Sequence, residues 1–129
     1  MSMYPVDMIQ INIFFIDKSC MKHFKIQTID LTNVDSFIEE LGEKFSNHDC
    51  FQTSQSFDLK PHYHSDFESR LFLEGEATFT VYGEEIHCTP GTYIEIYPDV
   101  VHSFEYISPT PLKVLRFFSE EEDWKATFV

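Results

Sequence analysis

Four side chains carry the chemistry open to this chain: His62, His64, Glu68 and His102. His62 and His64 stand two apart in a stretch that reads as extended. Side chains alternate on a strand, so both imidazoles face one way. Glu68, four residues on, can swing back across a turn to join them. His102 arrives from a later strand-like run. Three nitrogens and one carboxylate oxygen converging on a point suit a divalent transition metal with open positions. A closed structural zinc site would favour thiolates instead. His23, His48 and His87 fall outside this spacing and are expected in surface or structural roles. Cys88 lies beside His87, but neighbours on a strand point to opposite faces and cannot readily chelate one ion. Cys20 and Cys50 are expected to be small buried hydrophobes rather than nucleophiles.

The elements that must position these groups are mostly strands. One helix is predicted, over residues 33 to about 47, where Phe37, Ile38, Leu41 and Phe45 form one stripe. Asp35 or Ser36 can cap its start, and Ser36 with Glu39 has capping-box spacing. Everything after Phe51 reads as short strands, at 57–64, 70–74, 78–82, 85–88, 93–97, 102–107 and 112–118. Tyr82-Gly83-Glu84 signals a hairpin, and Pro90-Gly91 and Tyr97-Pro98-Asp99 signal turns. Seven short strands without intervening helices indicate a sandwich or barrel, with a single helix packed at one end.

A chain of 129 residues, 43% hydrophobic and with fourteen Phe, is expected to fold as one domain with one core. Nine basic against twenty-two acidic residues give a net charge of −13. Such a surface repels phosphate backbones and anionic lipid, which argues against nucleic acid or membrane as a partner. Most of these carboxylates are expected simply to be solvated. Three cysteines without CxxC spacing argue against a disulfide framework and fit a reducing cytoplasm. The apolar run at 8–16 is too short to span a bilayer and lacks the flanks of a signal peptide. Its alternation of Ile11, Ile13 and Phe15 looks like a strand, which could close a monomer or pair with a second copy. Met21 offers an alternative start that would leave 1–20 as an N-terminal extension.

These residues spell a family pattern. His62-x-His64-x3-Glu68-x6-Gly75 resembles the first cupin motif, with Ser56 where that motif usually opens with Gly. Gly91 and His102 are eleven apart, as in the second motif. Tyr97, Asp99 and Tyr106 replace its usual Pro, Gly and Asn. Asp tolerates the left-handed backbone that a Gly position can require. Fifteen residues separate the motifs, as in small microbial cupins. The resemblance narrows to acireductone dioxygenase. That family looks like His-x-His-x3-Glu-x-Arg before a strand ending in Gly, here Glu68-Ser69-Arg70 through Gly75. It carries an aromatic two past the last histidine, here Phe104. Its tail resembles Leu115-Arg116-Phe117-Phe118 followed by Trp124-Lys125-Ala126-Thr127-Phe128. The match runs from about Phe57 to Phe128, and residues 1–50 match nothing in the pattern.

The resemblance implies a mainly β, cupin-like double-stranded β-helix (a jelly-roll barrel) with one N-terminal helix and a barrel core over 51–118. It implies one Fe(II) or Ni(II) per chain on His62, His64, Glu68 and His102. Its expected reaction joins a small enediol, 1,2-dihydroxy-3-keto-5-methylthiopentene, with O2 in methionine salvage. The iron form would release formate and the keto-acid precursor of methionine, and a nickel form can divert to carbon monoxide. Glu68 and Arg70 would be catalytic, and Arg70, Phe104, Arg116 and Trp124 would bind substrate.

Strand parity points the same way. If Glu68 faces the interior, so do Arg70 and Phe72, and Val114, Arg116 and Phe118 share a face of the last strand. A buried guanidinium needs a carboxylate or an anionic ligand. Two arginines in an aromatic cavity therefore suggest a site for a small anion. The plainer alternative is that Arg70 or Arg116 merely pairs with Glu95, Glu105 or another carboxylate. Trp124 is equally well accounted for as core packing. Two other functions remain open: a non-catalytic metal- or ligand-binding cupin, and another metal-dependent cupin dioxygenase acting on a thiol or diketone.

Overall fold

A computed structural model describes residues 23–107, 109–119 and 126–129. The apolar run at 8–16, Cys20, the alternative start at Met21 and Trp124 lie outside the described residues. Among the described residues, ten strands and one α-helix are formed: β1 (Phe24–Thr28), α1 (Asp35–Lys44), β2 (Asn47–Thr53), β3 (Phe57–Tyr63), β4 (Glu68–Glu74), β5 (Ala77–Val81), β6 (Glu84–Cys88), β7 (Thr92–Ile96), β8 (His102–Tyr106), β9 (Leu112–Phe118) and β10 (Thr127–Phe128). They make two five-stranded sheets, ordered β1-β7-β4-β9-β2 and β10-β3-β8-β5-β6. All the pairings are antiparallel. The fold is the cupin double-stranded β-helix.

Strands begin well before Phe51. The hydrophobic pattern misses β1 because only its first residue is buried, the rest being exposed. It misses β2 because Asn47-His48-Asp49-Cys50 carries no apolar alternation. Cys50, expected to be buried, is exposed on β2.

The helix is shorter than predicted. A 3-10 turn at Leu31–Asn33, capped by the Asp30 side chain on the Thr32 amide, precedes it. Val34 occupies the N-cap without a side-chain bond, so neither Asp35 nor Ser36 caps it. At the other end Phe45 turns extended and leads into β2. Nor does the helix sit at one end of the barrel. Leu41 and Phe45 bury against Leu71, Tyr93 and Phe117, which point outward from the first sheet. The helix thus lies across that sheet's outer face.

Two apolar layers result. One, around Phe72, Phe79, Ile94, Ile96 and Val114, fills the space between the sheets. The other lies under α1. The outer layer holds a polar chain: Ser69 Oγ lies 2.7 Å from the Tyr93 hydroxyl. Tyr93 donates to Glu95, and Lys44 reaches the same carboxylate at 2.8 Å. Burial and the Glu95 bond push the Tyr93 phenol well above its ordinary pKa. Glu95 is therefore committed to the helix side and pairs with neither arginine.

Candidate metal centre

The site is built at one end of the space between the sheets. His62 on β3 and His102 on β8 are direct cross-strand partners. A bulge makes this possible. Phe57 and Leu59 face the cavity, and strict alternation from them would turn His62 outward. Between Leu59 and His62 one extra residue enters β3, and the parity resets. Pro61, within that bulge, has no amide hydrogen to lose.

His64 follows the end of β3. Its carbonyl accepts from the Asp99 amide at 2.8 Å, tying it to the turn before His102. Asp99 has φ of 64°, the left-handed backbone where the motif usually has Gly. Glu68 opens β4.

These four residues each offer one ligand atom, and the atoms all lie within 4.8 Å of one another. Donors on opposite sides of one ion, at about 2.1 Å each, stand roughly 4.2 Å apart, so the set has nearly the right span. The ring orientations fit a cation as well. His62 Nδ1 lies 2.7 Å from the Lys60 carbonyl, and His102 Nδ1 lies 2.9 Å from the Val100 carbonyl. Carbonyls only accept, so each Nδ1 carries the proton, and the neutral ring keeps its lone pair on Nε2. Yet His102 Nε2 lies 2.7 Å from Glu68 Oε1, and His64 Nε2 is 2.9 Å from the same oxygen. On His102, whose Nδ1 is committed to a carbonyl, a lone pair facing a carboxylate oxygen calls for a positive charge between them.

Arg70 Nη2 approaches Glu68 Oε2 at 3.1 Å. Burial opposes ionisation of Glu68. Arg70, together with the neighbouring His102 and His64 rings, outweighs it and holds the carboxyl well below the usual range. Burial draws the Arg70 guanidinium down against the pull of Glu68. Burial likewise lowers His62, partly offset by its Lys60 bond.

Beside the centre lies a cavity of about 230 Å³. Glu68, Arg70, Arg116 and Phe104 line it, with Phe51, Phe57, Leu59, Phe72, Phe79, Leu112 and Val114 completing the walls. Arg116 faces in as parity predicts, but it also pairs with a carboxylate. That partner is Asp49, which the sequence reading did not single out, because β2 itself went unseen. Of the other histidines, His87 is exposed against Glu76 and His48 packs on Phe117. His23 packs on Tyr82. Cys88 is buried, with its thiol pushed up to about 12 by burial.

The family model of the ARD/ARD' family matches residues 17–126. This chain belongs to the ARD/ARD' family. The match starts some forty residues earlier than the motif comparison reached. An acireductone dioxygenase of Hydrogenobaculum sp. (strain Y04AAS1) is 31% identical over 112 residues, covering 84% of this chain and 56% of that protein. One from Aquifex aeolicus (strain VF5) is 35% identical over 74 residues, covering 54% of this chain and 40% of its own length. The chain thus spans about half the length of these curated relatives. Among solved structures, an acireductone dioxygenase from Bacillus anthracis with a cadmium ion in its active centre superimposes with a TM-score of 0.73. It is 17% identical, and the alignment covers 86% of this chain and 87% of that one. A cupin 2 domain-containing protein from Halorhodospira halophila matches more loosely, at TM-score 0.56 and 16% identity. These likenesses establish the fold. Among its described residues, no helix is long and apolar enough to cross a membrane.

Proposed function

We propose that the chain is an acireductone dioxygenase that holds Fe(II) or Ni(II), one per chain, on His62, His64, Glu68 and His102. The observation that carries this reading is four clustered donor atoms opening onto an aromatic cavity that also contains two arginines. A divalent ion held there would supply Lewis acidity toward a dioxygenated chelator.

The protein's own contribution is positional and electrostatic. Arg70, fixed against Glu68, faces the cavity and offsets the negative charge that an enediol gains on losing its protons. Arg116 adds a second cation on the same wall. The deprotonated enediolate is electron-rich enough to reduce dioxygen directly, so the fold need only orient it and exclude water. Phe104, with Phe72 and Phe79, supplies the apolar lining for a thioether end. Cleavage to formate and the keto-acid precursor of methionine is the outcome proposed for the iron form, and release of carbon monoxide for the nickel form. Free thiols at Cys50 and Cys88 support a reducing cytoplasm as the setting.

The test is oxygen uptake by iron-loaded protein given synthetic acireductone, with product analysis of the iron and nickel forms. Uptake above the uncatalysed background is expected. Binding of acireductone without its consumption would instead identify a non-catalytic cupin. No effect of the protein on uptake together with no binding would overturn the reading.

A further inference from the structure

We propose that Asp49 is a positioning residue for Arg116, fixing that guanidinium on the cavity wall and so setting how tightly the site takes an anionic chelator. The proposal rests on the anion-binding reading of the cavity given above.

Arg70 on β4, Arg116 on β9 and Asp49 on β2 are successive cross-strand partners, forming one row across the sheet. Two guanidinium groups directly opposite one another repel, and each needs its own anion to stay in place. Arg70 has Glu68 at 3.1 Å and donates to the Ser69 carbonyl at 2.9 Å. Arg116 donates to Asp49 through both Nε and Nη2, each at 2.8 Å. That paired arrangement fixes the plane of the guanidinium as well as its position. Phe51, two residues along β2 on the same face, lies 5.1 Å from the Arg116 guanidinium carbon. One strand thus supplies both the anion and the ring that hold Arg116.

Asp49 is not among the cavity's lining residues, whereas Arg116 is. Its direct hydrogen-bonded route to a bound molecule therefore runs through Arg116. Hydrogen bonds from Arg116 outweigh burial and hold the Asp49 carboxyl below its usual range, so it is charged at neutral pH. Without Asp49, Arg116 loses both of its bonds to that carboxylate. It is then freed to shift toward Glu68, the one acid among the described residues lining the cavity, or away from the cavity. Either movement takes Arg116 out of register with an anion in the cavity.

The competing account is a simple staple holding β2 to β9. A double-mutant cycle separates the two. Oxalate, a small dianionic chelator, is titrated calorimetrically into nickel-loaded wild type, Asp49→Ala, Asp49→Asn, Arg116→Ala and Asp49→Ala/Arg116→Ala. KM and kcat for acireductone are measured on the iron forms. Asp49→Ala is expected to weaken oxalate about tenfold and raise KM by a similar factor, with kcat within about twofold. In the Arg116→Ala background the same change should do nothing further. Asp49→Asn, which keeps an acceptor and the side-chain size, should fall between wild type and Asp49→Ala. It serves as the cycle partner if the alanine variant does not fold. Equal oxalate affinity in wild type and Asp49→Ala overturns the proposal. So does an equal loss from Asp49→Ala with and without Arg116, and so does a wild type that binds no oxalate. If wild type binds oxalate but leaves acireductone untouched, the dioxygenase reading fails while the oxalate cycle still decides the role of Asp49.

Discussion

Glu68 contacts two histidines and an arginine at the centre, and its substitution is the most informative at the scale of single residues. One of its oxygens faces both His64 and His102, and the other takes Arg70. Glu68→Ala would remove a ligand and leave the largely buried Arg70 without its anion. Breaking a buried pair from one side costs about 3 kcal/mol or more, because the remaining charge stays desolvated. Metal-free Glu68→Ala should therefore unfold at a clearly lower denaturant concentration, and elemental analysis should find well under one ion per chain. An unchanged unfolding midpoint would show that Arg70 had found another anion. Arg70→Ala should behave differently, retaining metal while losing catalytic efficiency on the order of a hundredfold, the scale of a lost transition-state charge contact. Asp49 provides a pH signature. Its folded pKa is depressed, so its contribution to stability is complete above the unfolded value of about 3.9 and is lost as pH falls through the folded value. Wild type should be the more stable at pH 7, and its lead over Asp49→Asn should narrow below about pH 4. A gap in unfolding midpoint that stays constant from pH 7 to pH 3 would contradict this.

Turns and irregularities of the strands, rather than the strands themselves, set the site's geometry. The spacing of His62, His64 and Glu68 and the distant His102 were legible because the chemistry needs those residue types close together. The run from β3 to β9 was legible from alternation and turn residues. The bulge in β3 was not. It depends on which pairing register satisfies both the Phe57–Leu59 stretch and the His62–His102 pair, a long-range condition that only Pro61 hints at. The strands β1 and β2 were hidden because edge strands need not alternate visibly, and Asp49 was hidden with β2. Helix capping failed for a related reason. The 3-10 turn runs directly into the helix, which places apolar Val34 at the N-cap and leaves Asp35 and Ser36 already inside the first turn. Two backbone positions make the argument testable. Asp99 holds a left-handed conformation that Gly adopts without strain, so Asp99→Gly should be neutral or stabilising by up to about 1 kcal/mol in denaturant unfolding, with metal content unchanged. Gly75 combines φ of 81° with a close approach. An added Cβ would lie 2.4 Å from the Pro111 carbonyl oxygen, which belongs to backbone and cannot swing aside. Gly75→Ala should cost about 2 kcal/mol or more in the same measurement. A loss under about 0.5 kcal/mol would mean the β4–β5 and β8–β9 connections can separate freely.

Taken as a whole, the molecule is an aromatic interior holding a few paired charges inside a strongly acidic shell. Nine cations cannot partner twenty-two acids one to one, so at least thirteen acids have no lysine or arginine of their own. Several of the nine are already committed: Arg70 to Glu68, Arg116 to Asp49 and Lys44 to Glu95. The remaining acids repel one another over distances set by the ionic strength. Raising salt from roughly 10 mM to 150 mM shortens the screening length from about 30 Å to about 8 Å. Screening also weakens favourable pairs, but the strongest of these are short and partly buried, and so the least affected. Pairs in full solvent, such as Lys60 with Asp58, contribute little at any salt. Repulsion should therefore lose more than attraction. The melting temperature at pH 7 should rise with salt over this range, by about 3 °C if the relief approaches 1 kcal/mol. The effect should be similar in metal-free and metal-loaded protein, because the four proposed ligands lie inside while the excess charge lies outside. A flat or falling melting temperature would mean that local ion pairs govern this shell, and its acidity would then need another explanation.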